Sequence, residues 1–356
     1  MITYLTGRML QSLKLTVYQA AKKTGYFAAV ANSSWRRNRL VILCYHGIAL
    51  DDEHRWNPGL YVTAALLRRR LEMLRQSGCN ILPLGEAVER LHKGDLPVRS
   101  VVLTFDDGFF DFYREAAPVL REYQVPATVY VSSYYAFLER PVFDPMLGYL
   151  LWKGAGKTLD WPEVMGDPVL LTSGNRTKVW HRIAKFASEA GCSALEKDVL
   201  LGDLASRLAV DYGDLGCRRI LQLMNPNELR NVAALGFDLQ LHTHRHRMPP
   251  EKNLFVKEIE DNSRALAMDG QDKGVFRHFC YPSGIYYAGV GGWLRECGIL
   301  SATTCEPGLA SQSSDPYYLP RFSDSMNVQD IVFEGWVSGV RSHSRNPGVF
   351  IPGGRK

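Results

Sequence analysis

No acidic residue occurs between Met1 and Leu40, no apolar run approaches the ~20 residues of a membrane-spanning helix, and the seven cysteines form no CxxC pair. Each absence excludes something. The odd, scattered cysteines (Cys44 and Cys280 sit in apolar runs) read as reduced thiols used as small core residues. A secretory signal needs a continuous apolar stretch after a basic start, and Arg8, Gln11, Lys14, Gln19, Lys22 and Lys23 interrupt it. The expectation is a cytoplasmic protein, or one peripheral on the cytoplasmic face of a membrane. The acid-free arm carries +7 of a whole-chain charge of +5, so the rest carries −2. A near-neutral body excludes a nucleic-acid partner. The arm itself has Leu5, Met9, Leu13 and Val17 four residues apart on one helical stripe. That stripe suits either an anionic membrane surface or a helix packed on the body.

With 46% hydrophobic and 22% charged residues, the chain has enough apolar material for a real core. Its organisation reads as an arm over 1–39, a body over 40–338 and a disordered tail over 339–356, rich in Ser, Arg, Gly and Pro. In the body, short apolar runs (Leu40–Tyr45, Asn80–Leu84, Val101–Phe105, Ala127–Val131) alternate with helical patterns at Ala64–Gly78, Gly85–Lys93 and Tyr113–Tyr123. Thr63 is a plausible N-cap. That alternation predicts a parallel α/β arrangement. It breaks over 138–222, a stretch with Trp152, Trp161 and Trp180 that predicts a helical insertion. Trp152 and Trp161 flank a turn and are expected to be exposed, and Trp180 lies on an apolar helix face and is expected to be buried. The rhythm returns with strands at Phe237–His242, Phe276–Tyr281 and Ser301–Thr304.

Two constellations carry chemistry. Val101–Gly108 is an apolar strand that ends in Asp106-Asp107-Gly108. Alone, Asp-Asp-Gly reads as a turn. At the C-terminal end of a parallel strand, however, two like charges in a cleft are reconciled if a metal takes one and leaves the other as a base. The second constellation is Asp238–His246, with His242, His244 and His246 inside five residues. His242 and His246 share a side whether the backbone is extended or makes one helical turn. Two imidazoles and one carboxylate form the donor set of a catalytic zinc-type site with open positions. His244 is left open between a supporting residue, a substrate contact and a bystander.

Thr104-Phe105-Asp106-Asp107-Gly108 and His242-Thr243-x-x-His246 resemble the two signature motifs of the polysaccharide deacetylases, the NodB-homology domains of carbohydrate esterase family 4. Cys44-Tyr45-His46, Thr63–Leu96, Tyr281-Pro282-Ser283-Gly284 and Leu319-Pro320-Arg321 resemble further family segments, so that roughly 40–335 is covered apart from the insertion. The resemblance implies a distorted (β/α)7 barrel, TIM-barrel-like, carrying the insertion. It implies Asp107, His242 and His246 as ligands of a divalent metal, most often Zn2+ with Co2+, Mn2+ or Ni2+ as alternatives, and Asp106 as the base. It implies hydrolysis of the acetamide of an N-acetylated sugar in a polysaccharide, oligosaccharide or lipid-linked glycan, a carbon–nitrogen hydrolase. Tyr281, Ser283 and Arg321 enter as candidates for substrate or oxyanion contact.

The sequence departs from the pattern in three places. Cys280 stands where many members carry an arginine that orients the base, so Asp106 needs another partner. Ser283 replaces the usual tyrosine. The late Leu-x-His that supplies a general acid is missing, which leaves His46, His244 and His343 as substitutes. The competing functions are a catalytically silent carbohydrate-binding protein on this fold and a metal-dependent amidase or esterase of a non-sugar substrate.

Overall fold

An unbroken apolar run belongs in a sheet covered on both faces, and β1 (Arg39–Tyr45) meets that condition, with six of its seven residues buried. The computed structural model describes residues 15–267 and 275–340. The other strands of its main sheet are β2 (Asn80–Ile81), β3 (Ser100–Phe105), β4 (Thr128–Val131), β5 (Asp238–Leu241), β6 (His278–Cys280), β7 (Ser301–Thr303), β8 (Ala310–Ser311) and β9 (Phe322–Ser323). Their order is β7-β6-β5-β4-β3-β1-β8, with β2 on β3 and β9 on β1. All pairings are parallel except β8 on the start of β1. A lone parallel bridge from Thr303 to Leu319, followed by β9 against β1, brings the chain back round. The expected barrel is therefore a curled, loosely closed ring with helices outside it.

The helices that pack on this ring follow from spacing and caps. After α1 (15–23) and α2 (Tyr26–Asn32), α3 (Ala64–Gln76) starts at Thr63, whose hydroxyl accepts from Leu66 N at 3.1 Å. Leu67, Leu71 and Leu74 lie four and three residues apart and are all buried, each contributing ~1.5–3 kcal/mol of apolar transfer. α4 (Leu84–Lys93) ends on Gly94, where φ is +77°. The helix expected at Tyr113–Tyr123 is instead a π turn (Phe112–Ala116) leading into α5 (Ala117–Glu122). Pro118 cannot donate an amide to the preceding turn, so the α-pattern restarts there.

The insertion is α6 (Phe143–Lys153), α7 (Arg176–Glu189) and α8 (Ala194–Arg207), with a small hairpin pairing Thr158–Leu159 with Val169–Leu170. It has its own core, including Leu147, Leu150, Trp161, Ile183 and Leu204, onto which Trp56 and Leu60 from beyond β1 pack. None of the three expected tryptophan exposures is met, and Trp152 is half-buried. Trp161 is 3% exposed, because the short helix it precedes turns it inward beneath the Arg207 guanidinium. Trp180 is only half-buried. α9 (Pro226–Ala234), α10 (Lys252–Leu266), α11 (Val290–Glu296) and α12 (Asp330–Ser338) complete the outer layer.

The 1–39 boundary needs correction. Arg36 is fully buried and donates to the carbonyls of Val337, Arg39 and Ser100, so the end of the arm is part of the body. Phe27 is buried close to Gly335 of α12. On α1, Val17 is 56% exposed, while Leu5, Met9 and Leu13, like the tail beyond 340, lie outside the described residues. Among the described residues no helix is long and apolar enough to cross a membrane.

Candidate active site

β3 delivers its two carboxylates through a left-handed turn. Asp107 has φ +72° and Gly108 +82°. A Cβ on Gly108 would lie 3.0 Å from Val131 Cγ1, so both conformation and space require glycine. The turn is pinned by Ser132 N on Asp107 O and by Met224 N on Gly108 O. β5 ends at His242. Positive φ at Thr243 (+60°) and His246 (+53°) folds the following loop back, and Arg245 ties it to Glu258 and Asp261.

The result is convergence. Asp107 Oδ1 lies 3.2 Å from His242 Nε2 and 3.2 Å from His246 Nε2. His242 Nδ1 is 2.8 Å from the carbonyl of Cys280 and donates to it, so that in the neutral imidazole Nε2 carries the lone pair and faces a carboxylate. Two acceptors at 3.2 Å repel unless a cation lies between them, so the donor set fits a divalent metal. Burial disfavours both partners' charged forms, but the attraction outweighs it. Asp107 is held well below the usual carboxylate range by the two imidazoles, and His246 is raised by Asp107. Two other groupings, Cys44-His46-Asp106 and Asp106-His242-Cys280, share the neighbourhood. They are poorer donors, because burial pushes both thiols up and keeps them protonated, and Asp106 is already engaged.

What engages Asp106 is Arg321. Its Nη1 and Nη2 lie 2.7 and 2.8 Å from Oδ1 and Oδ2 in a bidentate fork, and both side chains are buried. Arg321 is itself fixed by Thr304 O, Thr104 Oγ1 and Cys280 Sγ. Burial alone would raise Asp106, and the guanidinium overrides it and holds the carboxylate ionised. Arg321 was expected to touch substrate or oxyanion, and its complete burial rules that out. Tyr281 is corrected too: it is fully buried, its hydroxyl donates to Tyr317 O, and its amide donates to Thr303 O. Ser283 is exposed with φ +56°.

His46 is brought into the site, Nε2 lying 3.6 Å from Asp106 Oδ2 with the side chain 18% exposed. His244 is not part of the donor set. Its Nδ1 meets Ser133 Oγ at 2.8 Å, and burial lowers its pKa. His343 lies outside the described residues. Sequence reasoning missed Asn262, which accepts from His242 N and donates to Val131 O and Ser133 Oγ. Its signal was a polar residue on the apolar face of α10, in step with Phe255, Ile259 and Leu266.

Comparisons with known proteins agree with this geometry. Residues 93–146 match the polysaccharide deacetylase family. Poly-beta-1,6-N-acetyl-D-glucosamine N-deacetylase of Escherichia coli K12 is 32% identical over 100 residues, 28% of this chain and 14% of that protein. The enzyme of the same name from Staphylococcus epidermidis is 28% identical over 137 residues, 36% of this chain and 45% of its own. The chain thus spans less than half the length of these curated relatives. The structure of Streptococcus pyogenes deacetylase PplD in complex with acetate superposes with TM-score 0.53 at 18% identity, covering 86% of this chain and 99% of that one. IcaB from Ammonifex degensii gives 0.52 at 18% identity, covering 85% and 97%. At such identity these two likenesses concern the fold alone. The family match and the curated relatives, each over part of the chain, support a polysaccharide deacetylase domain of the NodB type.

Proposed function

We propose that the protein hydrolyses the acetamide of N-acetylated glucosamine residues in a glycan, releasing acetate and leaving an amine. The observation that carries this reading is the Arg321–Asp106 fork beside the Asp107-His242-His246 donor set. A carboxylate used only for binding needs no second charge to hold it ionised and aimed. The same fork weighs against a silent binding protein.

A divalent metal, zinc in the first instance, would be held by Asp107, His242 and His246 and would polarise the amide carbonyl and acidify water. The protein's residues do the rest. Asp106 accepts a proton from the attacking water, whose oxygen bonds to the acetyl carbon. Arg321 keeps both carboxylate oxygens in register, and Asn262 and the Cys280 carbonyl fix the backbone and the tautomer of His242. As the carbon–nitrogen bond breaks, the amine nitrogen needs a proton, and His46 Nε2, facing Asp106, is the placed candidate for the relay. The names of the curated relatives support a poly-β-1,6-linked substrate. We also propose a peripheral contact of the arm with an anionic membrane, supported by the acid-free charge of 1–39 and the outward Val17.

The test is acetate release from β-1,6-linked N-acetylglucosamine oligomers, with metal content measured on the same sample. Asp106→Asn should keep the metal and lose ~10²–10⁴-fold in turnover. A wild-type protein that holds metal yet releases no acetate from any N-acetylated glycan would overturn the reading.

A further inference from the structure

Between α6, α7 and the helical turn Glu53–Trp56 lies a cavity of about 250 Å3. Its wall contains two indoles, Trp56 and Trp180, together with Ser173, Arg176 and Thr177. Trp56, Arg176 and Trp180 are half-buried, and Ser173 and Thr177 are exposed, so the walls are reachable from solvent. Both indoles are held in place. Trp180 Nε1 donates to Asp144 O at 3.2 Å, and Tyr149 braces Trp56 edge-on at a centroid distance of 5.5 Å. Gly148 of α6 gives Trp56 its room, since a Cβ there would lie 3.1 Å from Cζ2. Pre-set aromatic walls lose little freedom when a ligand stacks on them.

The chemistry of the lining narrows the ligand. The volume falls below the ~300–1,000 Å3 of typical small-molecule sites, so one ring fits and a long segment does not. Flat apolar faces beside hydroxyls and a guanidinium suit a ring that is apolar on its faces and polar at its rim, which is the character of a pyranose. No carboxylate lines the cavity, while Arg176 does. A cationic ring would meet Arg176 with no counter-charge among the lining residues. The cavity wall and the catalytic loop share a neighbour in Asp144. Asp144, whose carbonyl holds Trp180, opens α6 within electrostatic reach of His246 and Arg247.

We propose that this cavity is an accessory subsite for a second sugar residue of the glycan, one that is still N-acetylated. The inference rests on the deacetylase reading above and adds a selectivity to it. A glucosamine, protonated at neutral pH, is repelled by Arg176, whereas its acetylated parent is not. The enzyme then works best where a neighbouring ring along the same chain retains its acetyl group, and its products carry spaced rather than contiguous free amines.

The experiment measures binding by calorimetry to metal-loaded Asp106→Asn protein. The ligands are β-1,6-linked N-acetylglucosamine oligomers of increasing length and their deacetylated counterparts. Affinity should rise about tenfold at the length that first reaches the cavity, as expected for an aromatic anchor. Trp180→Ala should remove the rise, and Ser173→Trp should remove it by filling the cavity from an exposed position. Arg176→Glu should invert the preference toward deacetylated oligomers. All three substitutions, placed in otherwise wild-type protein, should leave acetate release from the shortest substrate unchanged. A rise that survives both Trp180→Ala and Ser173→Trp, or a preference that Arg176→Glu leaves unchanged, overturns the subsite. Acetate release by wild type with no dependence of affinity on length overturns the subsite alone. Failure of wild type to release acetate from any oligomer overturns the deacetylase reading and the subsite with it.

Discussion

Arg321 and Asp106 meet fork on fork: two nitrogens on two oxygens at 2.7 and 2.8 Å, with the guanidinium wholly buried and the carboxylate nearly so. The pair joins β9 to the end of β3, the two sides of the ring that β1 separates. The loosely closed seam of the barrel is therefore also what aims the base. A lysine cannot reproduce the planar fork. Arg321→Lys is expected to lower kcat about a hundredfold with KM and metal content near wild type, because neither ligand set nor substrate surface is touched. Arg321→Ala leaves a buried carboxylate unpaired and should in addition cost ~3–5 kcal/mol of stability. Steady-state kinetics and thermal melts on both variants check this, and an unchanged kcat in Arg321→Lys would detach Arg321 from the base.

Metal removal should be felt as a loss of stability. Without a cation, Asp107 Oδ1 and the Nε2 atoms of His242 and His246, each 3.2 Å from it, stay gathered with no metal to bind them together. Zinc added to chelator-treated protein at a hundred times its Kd should restore ~2.7 kcal/mol. His242→Ala and His246→Ala should melt at the same temperature with and without zinc. Thermal melts paired with metal analysis decide it, and a zinc response retained in both variants would move the site elsewhere.

How much of this was legible in the sequence depends on range. Asp106, Asp107, His242 and His246 sit in two short segments whose local turns aim them, so residue type and spacing suffice. Arg321 was named but given the wrong task. The resemblance looks for the orienting arginine on β6, where Cys280 stands, and the guanidinium instead arrives 41 residues later, through the seam at β9. Nothing local announces that. Trp180 and Val179 are neighbours on α7, yet Val179 is buried while Trp180 turns toward the cavity. One residue step on a helix is enough to separate core from rim. Arg36 lies in the run Arg36-Arg37-Asn38-Arg39, which looks like a solvated charge cluster. One of its three carbonyl partners, that of Val337, is 301 residues away.

Acid sensitivity should come partly from His278. Burial, with Arg277 adding to it, lowers its pKa to about 4, and its Nδ1 meets Ser301 Oγ at 2.8 Å. The unfolded chain protonates this imidazole near pH 6.5, whereas the folded protein does so only near pH 4. Between those values the unfolded state binds the extra proton, so stability falls as pH falls through that window and is flat above it. The expected loss is about 3 kcal/mol from pH 7 to pH 4. His278→Gln should flatten that part of the curve. Denaturant titrations at stepped pH measure it, and an equal slope in the variant would assign the acid sensitivity to other groups.

The arm should not behave as one unit, because Phe27 and Arg36 are buried in the body. Deleting 1–14 removes Arg8 and Lys14 together with three members of the apolar stripe, Leu5, Met9 and Leu13, and touches none of the buried contacts described above. The melting temperature should stay near wild type. If the arm lies on an anionic membrane, binding to phosphatidylserine vesicles should weaken by ~1 kcal/mol for each lost charge, and the difference should vanish in high salt. Deleting 1–38 is a different operation. It takes away Arg36, whose buried guanidinium serves the carbonyls of Val337, Arg39 and Ser100, and Phe27, which packs near Gly335. Each buried carbonyl left without a donor costs ~1–3 kcal/mol. Arg36→Ala alone should therefore lower stability by about 3 kcal/mol or more, and the 1–38 deletion should be insoluble or melt far below wild type. Vesicle flotation and thermal melts on the three proteins separate the two roles. A stable 1–38 deletion would show that Arg36 is dispensable to the core, and equal vesicle binding by wild type and the 1–14 deletion at low salt would remove the membrane contact from the arm.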